Sequence, residues 1–253
     1  MTHVKTLCAA AAAFSCCAAR ADSNFNMPEG SQDIIVSATA FDTPRSEGGR
    51  RRQFGVLPSL TGRWSNGVFA GLGQVGWDVS DDPVLDWGPI LAYDLRQRRA
   101  DDTSNKVQVE FEGGAFARYM FAWNLHFNAE LLYGGGAKSS GGKLVADVDY
   151  SIKLGSHASM TLSPGIELAN ASYMKSTFGV TPAQSAVDHL APYQTHAGAK
   201  DLFLNVGANW QLSNKWTVNG GVNMVRLVGS AANSPLTEKR TDATIYLSGD
   251  YHF

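Results

Sequence analysis

Residues 243–253 read Ala-Thr-Ile-Tyr-Leu-Ser-Gly-Asp-Tyr-His-Phe. Every second residue back from Phe253, namely Tyr251, Gly249, Leu247, Ile245 and Ala243, is apolar, aromatic or small. The residues between them, His252, Asp250, Ser248, Tyr246 and Thr244, are mostly polar. A strand repeats its side-chain direction every two residues, so this segment has one greasy face and one mostly polar face. If the rest of the chain repeats that pattern, the fold is a sheet with a lipid-facing or core-facing side throughout.

The pattern recurs. Phe54, Val56, Pro58, Leu60, Gly62 and Trp64 share one face, and Trp123, Leu125, Phe127, Ala129, Leu131 and Tyr133 share another. Leu144 to Ile152, Ala158 to Leu168, Leu202 to Trp210 and Trp216 to Met224 alternate in the same way, against rows of Ser, Thr, Asn and Asp. Runs of this length suit tilted strands that cross a bilayer. Aromatic residues stand at their ends. Trp64, Trp123, Tyr133, Trp210 and Trp216 form a candidate interfacial girdle. A soluble sandwich or lipocalin-like barrel also alternates, but its polar face would be richer in Lys and Glu. The reading is an all-β fold, a closed antiparallel transmembrane β-barrel, because an open edge in hydrocarbon strands backbone N–H and C=O groups. A terminal Phe253 after Tyr251 resembles the signal by which outer-membrane barrels are recognised for insertion.

The N-terminus agrees with export. Lys5 precedes the short apolar run Leu7–Phe14, and Ala19-Arg20-Ala21 fits a small-x-small cleavage site. This predicts a signal peptide over 1–21, cleavage before Asp22, and a barrel domain over 22–253. The three cysteines, Cys8, Cys16 and Cys17, fall inside that signal, so the mature domain has no disulfide framework, thiol nucleophile or thiolate metal site. Phe14 makes a poor lipidation motif. Charged residues are 17% of the chain, below the soluble norm of about 25%. Residues 1–21 hold two of the 21 basic residues and none of the 23 acids. The mature balance is therefore 19 against 23, net −4, which argues against a nucleic-acid partner.

Connections set the topology. Short ones are read at Ser65-Asn66, near Phe121-Ala122, at Gly155-Ser156-His157 and at Ser213-Asn214-Lys215. Long ones cover 42–52, 78–86, 134–142, 170–200 and 228–240. Short periplasmic turns alternate with long external loops in such barrels. Between the first two short turns the pattern yields three strands, 67–77, 87–96 and 106–120, and eleven in all. Bacterial barrels are even-numbered. A strand hidden within 95–112 gives twelve, the favoured count, and one strand too many gives ten.

Tyr173-Met174-Lys175-Ser176-Thr177-Phe178-Gly179-Val180-Thr181-Pro182-Ala183-Gln184-Ser185 resembles a hallmark of the MipA/OmpV family, named for a scaffold that interacts with a membrane-bound lytic transglycosylase. Tyr193, Gly198-Ala199-Lys200-Asp201, Trp216 and Arg226–Leu236 extend the resemblance. So does Phe41–Gly48, with Ser46 where the family has a second aromatic. The resemblance implies an outer-membrane barrel with a lytic transglycosylase and a murein synthase as partners; the residues themselves read as no enzyme, with outer-membrane lipid and lipopolysaccharide expected around the wall. Read from the residues alone, Thr181 caps a short helix with Pro182 at its first position. Phe178 and Tyr193 pack that helix.

Catalysis finds little support. His126 faces the predicted lumen, His157 lies in a turn, and His189 and His196 lie seven apart in a loop. None joins a Ser or an acid in a recognisable motif. His189 and His196 with Asp188 read as a solvated loop rather than a metal site, and no cofactor motif is present. Arg63, Arg118, Glu130, Asp147, Asp149 and Glu167 share the lumen as a charge network, because buried charges must pair or meet water. Arg50-Arg51-Arg52 could meet lipopolysaccharide phosphates. Two other functions compete with the scaffold: a narrow solute channel, and a surface adhesin or receptor acting through the long loops.

Overall fold

The computed structural model describes residues 27–94, 110–135 and 140–253. The signal segment and its cleavage residues lie outside this range. Twelve antiparallel strands follow in order: β1 (Gln32–Pro44), β2 (Arg52–Trp64), β3 (Val68–Gly71), β4 (Gln74–Trp77), β5 (Leu85–Asp94), β6 (Glu110–Ala122), β7 (Leu125–Gly135), β8 (Ser140–Lys153), β9 (Ala158–Ala169), β10 (Gly198–Gln211), β11 (Trp216–Leu227) and β12 (Thr241–His252). Each pairs with its sequence neighbours, and β1 pairs with β12, so the sheet closes on itself. The seam runs from Ile35↔His252 to Asp42↔Ile245. It uses the C-terminal segment whose alternation first indicated the fold.

The alternation decides what each wall residue faces. Phe54 is 68% exposed, Trp123 63% and Leu247 59%. On the opposite face Asn128, Asp147, Ser163, Asn205, Thr244 and Ser248 are buried. The sheet therefore turns its apolar side outward and its polar side inward, the reverse of a soluble barrel. A closed, edge-free antiparallel wall with that exterior is an outer-membrane barrel.

The strand count of twelve agrees with the favoured reading, but the extra strand is not where it was sought. The stretch 67–77 does not run straight. It folds into a β3–β4 hairpin through Leu72-Gly73, with Gly71↔Gln74 and Val68↔Trp77 paired. Gly73 takes φ +89°, a conformation that disfavours any side chain. The hidden strand proposed for 95–112 falls mainly outside the described residues. Splitting 67–77 also corrects the topology. The β4–β5 connection, Asp78–Val84, now lies at the end of the short turns and not among the external loops. It is held by its own side chains: Asp78 Oδ1 accepts from Ser80 N (3.0 Å) and Trp87 N (3.2 Å), and Asp82 Oδ1 accepts from Val84 N (2.9 Å). Burial pushes the Asp78 carboxyl above its ordinary range, against the pull of those two backbone donors.

The inner end holds the start of β1, the end of β12 and the turns Ser65–Gly67, Asp78–Val84, Trp123–Asn124, Leu154–His157 and Leu212–Lys215. The outer end holds the long connections, which among the described residues carry three helices: α1 (Ala171–Phe178), α2 (Pro182–Asp188) and α3 (Gly229–Ala232). The sequence pattern anticipated α2. It did not anticipate α1, which begins at Asn170, whose side chain caps Tyr173 N.

Candidate functional site

The outer mouth is built on an irregularity in β10. Its pairing with β9 passes from Ala199↔Leu168 to Asp201↔Glu167, leaving Lys200 as an extra residue. Strict alternation would send Lys200 to the lipid. The bulge turns both Lys200 and Asp201 inward, and both are buried. Lys200 Nζ lies 2.8 Å from Glu47 Oε1, 2.9 Å from Glu167 Oε2 and 3.2 Å from Asp201 Oδ2. One ammonium thus holds three carboxylates, from the β1–β2 loop, from β9 and from its own strand. Nearby, Lys143 Nζ meets Glu112 Oε2 at 2.8 Å. These groups line a cavity of ≈ 200 Å³, shared with apolar Leu132, Val145, Phe203 and Val225.

A cap lies over this cavity. Tyr173, Met174 and Phe178 of α1 pack with Ala169, Leu227 and Ala231 in one apolar cluster. Met174 is 0% exposed and Phe178 1%. The Tyr173 ring lies 5.6 Å from Lys200 Nζ, a cation–π contact that joins the cap to the charges beneath. The helix comes this close because β8 has no side chain at Gly141: a Cβ there would lie 2.4 Å from Tyr173 N. Three loops are stitched together above. Ser234 Oγ donates to Phe178 O (2.7 Å), Tyr193 Oη donates to Ser230 O (2.9 Å), and Gly48 O accepts from Glu238 N and Lys239 N.

The family-like motif residues sit within this cap. Tyr173 and Phe178 anchor it, Gly179 N bonds Lys175 O, and Val180 pairs with Tyr193 in a short bridge. Thr181 opens α2 as half of a reciprocal cap: its Oγ1 accepts from Gln184 N (3.2 Å) while Gln184 Oε1 accepts from Thr181 N (2.9 Å). Pro182 is the first helical residue, and Ser185 N bonds Thr181 O.

The lumen charges named from the sequence fall into separate groups. Arg118 Nε donates to Asn128 Oδ1 (2.9 Å), and Asn128 Nδ2 donates to Asp147 Oδ2 (2.9 Å) and Asp149 Oδ2 (2.8 Å). Ser163 Oγ bonds the other oxygen of Asp149. The β8–β9 pairing lapses there, between Asp147↔Gly165 and Tyr150↔Leu162, opposite Pro164, which has no N–H to give. Glu167 belongs instead to the Lys200 cluster. Glu130 lines the cavity below the cap, and Arg63 lies within β2 near its inner end, paired with Asp33 on β1 and Phe69 on β3. Asn128 and Ser163 in the wall, and Lys200, Glu47, Lys143 and Glu112 at the mouth, are members that the charge network read from the sequence did not name. Asn128 stood in the polar row of β7, but its role as a bridge needs the three strands β6, β7 and β8 side by side.

At the inner end Tyr251 stacks edge-on with Trp216 (5.1 Å) and with Phe253 (4.9 Å). All six tryptophans, Trp64, Trp77, Trp87, Trp123, Trp210 and Trp216, lie toward this end, whereas Tyr133, Phe54 and Phe111 mark the outer rim. His189 ends α2 with φ 56°, and His196 bonds Ser230 through its backbone.

A protein-family model described as MltA-interacting protein MipA matches residues 36–253. No curated protein sequence matches the chain. Among solved structures, the chain is similar to a bacterial polysaccharide outer membrane secretin, with 11% identity, a TM-score of 0.47 and coverage of 90% of this chain and 99% of that one. It is also similar to the NanC porin (8%, 0.45, 87% and 99%) and the KdgM porin (12%, 0.41, 87% and 99%).

Proposed function

Because the chain belongs to the MipA family, we propose that it is a non-catalytic scaffold of the outer membrane that holds a lytic transglycosylase, and with it a murein synthase, against the inner leaflet. The match over residues 36–253 carries the reading, since the family is named for interaction with MltA. The geometry supports it in two ways. The outer mouth is filled by a cap with its own apolar core and by cross-linked charges, an arrangement suited to a plugged barrel rather than an open pore. The inner end offers five connections, of which Asp78–Val84 is the longest and is ordered by its own hydrogen bonds. A partner in the periplasm meets that end.

The test is capture on the purified, immobilised barrel from an envelope extract, with the retained proteins identified by mass spectrometry. Retention of a transglycosylase supports the scaffold. A clean barrel that retains no cell-wall enzyme overturns it. The second reading, a narrow solute channel, draws on the cavity beneath the cap. Stable single-channel conductance in planar bilayers would favour it, and a silent bilayer would favour the scaffold.

A further inference from the structure

The outer rim carries an uneven charge. Over β11, β12, β1 and β2 it is strongly basic. Arg52 is consumed by structure: it bonds Asp42 Oδ2 (2.9 Å), Asp242 Oδ1 (2.8 Å) and the carbonyls of Asp42 and Ala243. Lys239 shares Asp242 at 3.4 Å, and Arg240 is held by Ala232 O and Asn233 Oδ1. Arg50 touches Glu238 only at 3.9 Å, with both side chains more than half exposed. That leaves Arg45, Arg51 and Arg226, all exposed and with no acidic partner among the described residues.

Arg226 is the informative one. It lies on the lipid-facing side of β11, two residues above Met224, opposite Leu202 on β10 and Thr241 on β12. Leu202 and Met224 are themselves exposed on the membrane side. A guanidinium at that edge of the hydrocarbon needs an anion or water above it. The acids of this rim, Asp42 and Asp242, are already engaged by Arg52, and Glu238 stands over Arg50. Among the described residues no acid of this rim is left for Arg226, and an anion for it would come from the membrane. At the outer rim, next to an apolar wall, the available anion is the phosphate of a lipid headgroup, which guanidinium forks bind in a bidentate way.

We propose that the β11–β12–β1–β2 rim is a binding site for the phosphorylated glycolipid of the outer leaflet, with Arg226 and Arg51 on its phosphates and its acyl chains against Ile245, Leu247 and Val56 below. The site does not depend on the scaffold reading, and capture of a cell-wall enzyme tests nothing in it.

The experiment uses the full mature barrel in phosphatidylcholine nanodiscs doped with bisphosphoryl lipid A, its dephosphorylated form, or phosphatidylglycerol. Bound lipid is counted by native mass spectrometry. Wild type should retain bisphosphoryl lipid A and lose the dephosphorylated form. R51Q/R226Q should retain roughly tenfold less. E238Q, which removes an acid from the rim, should retain more, and K175Q on α1 should match wild type. Heat-modifiable migration confirms that each variant is folded, and the E238Q arm decides the matter if R51Q/R226Q does not insert. Equal retention of the dephosphorylated lipid, undiminished retention by R51Q/R226Q, or equal competition by phosphatidylglycerol overturns the proposal.

Discussion

The two polar clusters inside the barrel differ in what they connect. The Asn128 array joins β6, β7, β8 and β9, strands already zipped by backbone ladders. Its central member is the neutral amide of Asn128, and the two carboxylates that amide serves lie two residues apart on one strand. The Lys200 cluster joins the β1–β2 loop, β9 and β10 and touches α1. Backbone pairing does not link Glu47 to Lys200. The first cluster therefore reinforces a wall that stands without it, and the second adds to the β9–β10 ladder a tie to the β1–β2 loop and to α1 that the ladder does not make. Burial alone does not say how much a polar group matters; what matters is whether the ladder would keep the same parts together in its absence.

Lys200→Met tests this contrast most severely. It leaves Glu47, Glu167 and Asp201 in a buried site without their cation, a loss of roughly 4 kcal/mol when one partner of a buried ion pair is removed. The cap should open while the barrel stays folded. Limited proteolysis should cut 170–197 and 228–240, and planar-bilayer recordings should show new conductance. An intact, silent cap would break the comparison. Phe178→Ala follows, at about 3 kcal/mol for a buried aromatic lost from a small core. Hydrogen exchange should quicken in α1 and α3 together, since they share that core.

Asn128→Ala is the counterpart on the wall. It removes one amide donor from Asp147 and one from Asp149, about 1.5–3 kcal/mol for a hydrogen bond to a charged group. The thermal midpoint of the barrel should fall while proteolysis of the cap stays unchanged. If the cap loosens as well, the two clusters are one. Thr181→Ala should cost about 1 kcal/mol and fray only α2, visible as faster amide exchange at Gln184 and Ser185. The smallest effect is in pH. Asp78 has its folded pKa raised, so its contribution is full below the ordinary carboxylate range and is lost as pH rises through the raised value. Protection factors in 78–84, taken relative to the intrinsic base-catalysed exchange rate, should therefore fall from acid toward neutral pH, and Asp78→Asn should flatten that dependence.

The walls were legible because alternation is local: Phe54, Val56 and Leu60 announce their face without reference to any other strand. The β3–β4 hairpin was missed because each arm is only four residues, too short to show that the shared face passes from Val68 and Ala70 to Val75 and Trp77, although Gly71-Leu72-Gly73 carried the signal. The helix α1 was missed for a different reason. Tyr173, Met174 and Phe178 form an apolar face only once Leu227 at the end of β11 and Ala231 of α3 arrive from about fifty residues away.

Residue order by itself determined that this chain closes into a barrel with an oily exterior, since a period of two residues and the need to pair every backbone group in hydrocarbon leave no other arrangement. It also determined the cap of α2, where Thr181 and Gln184 are close enough to meet without help from the rest. The inward turn of Lys200 was decided only by the folded molecule. One extra residue in β10 reverses a side chain that strict alternation sends outward, and the acids that make the reversal favourable come from sequence positions as far away as Glu47.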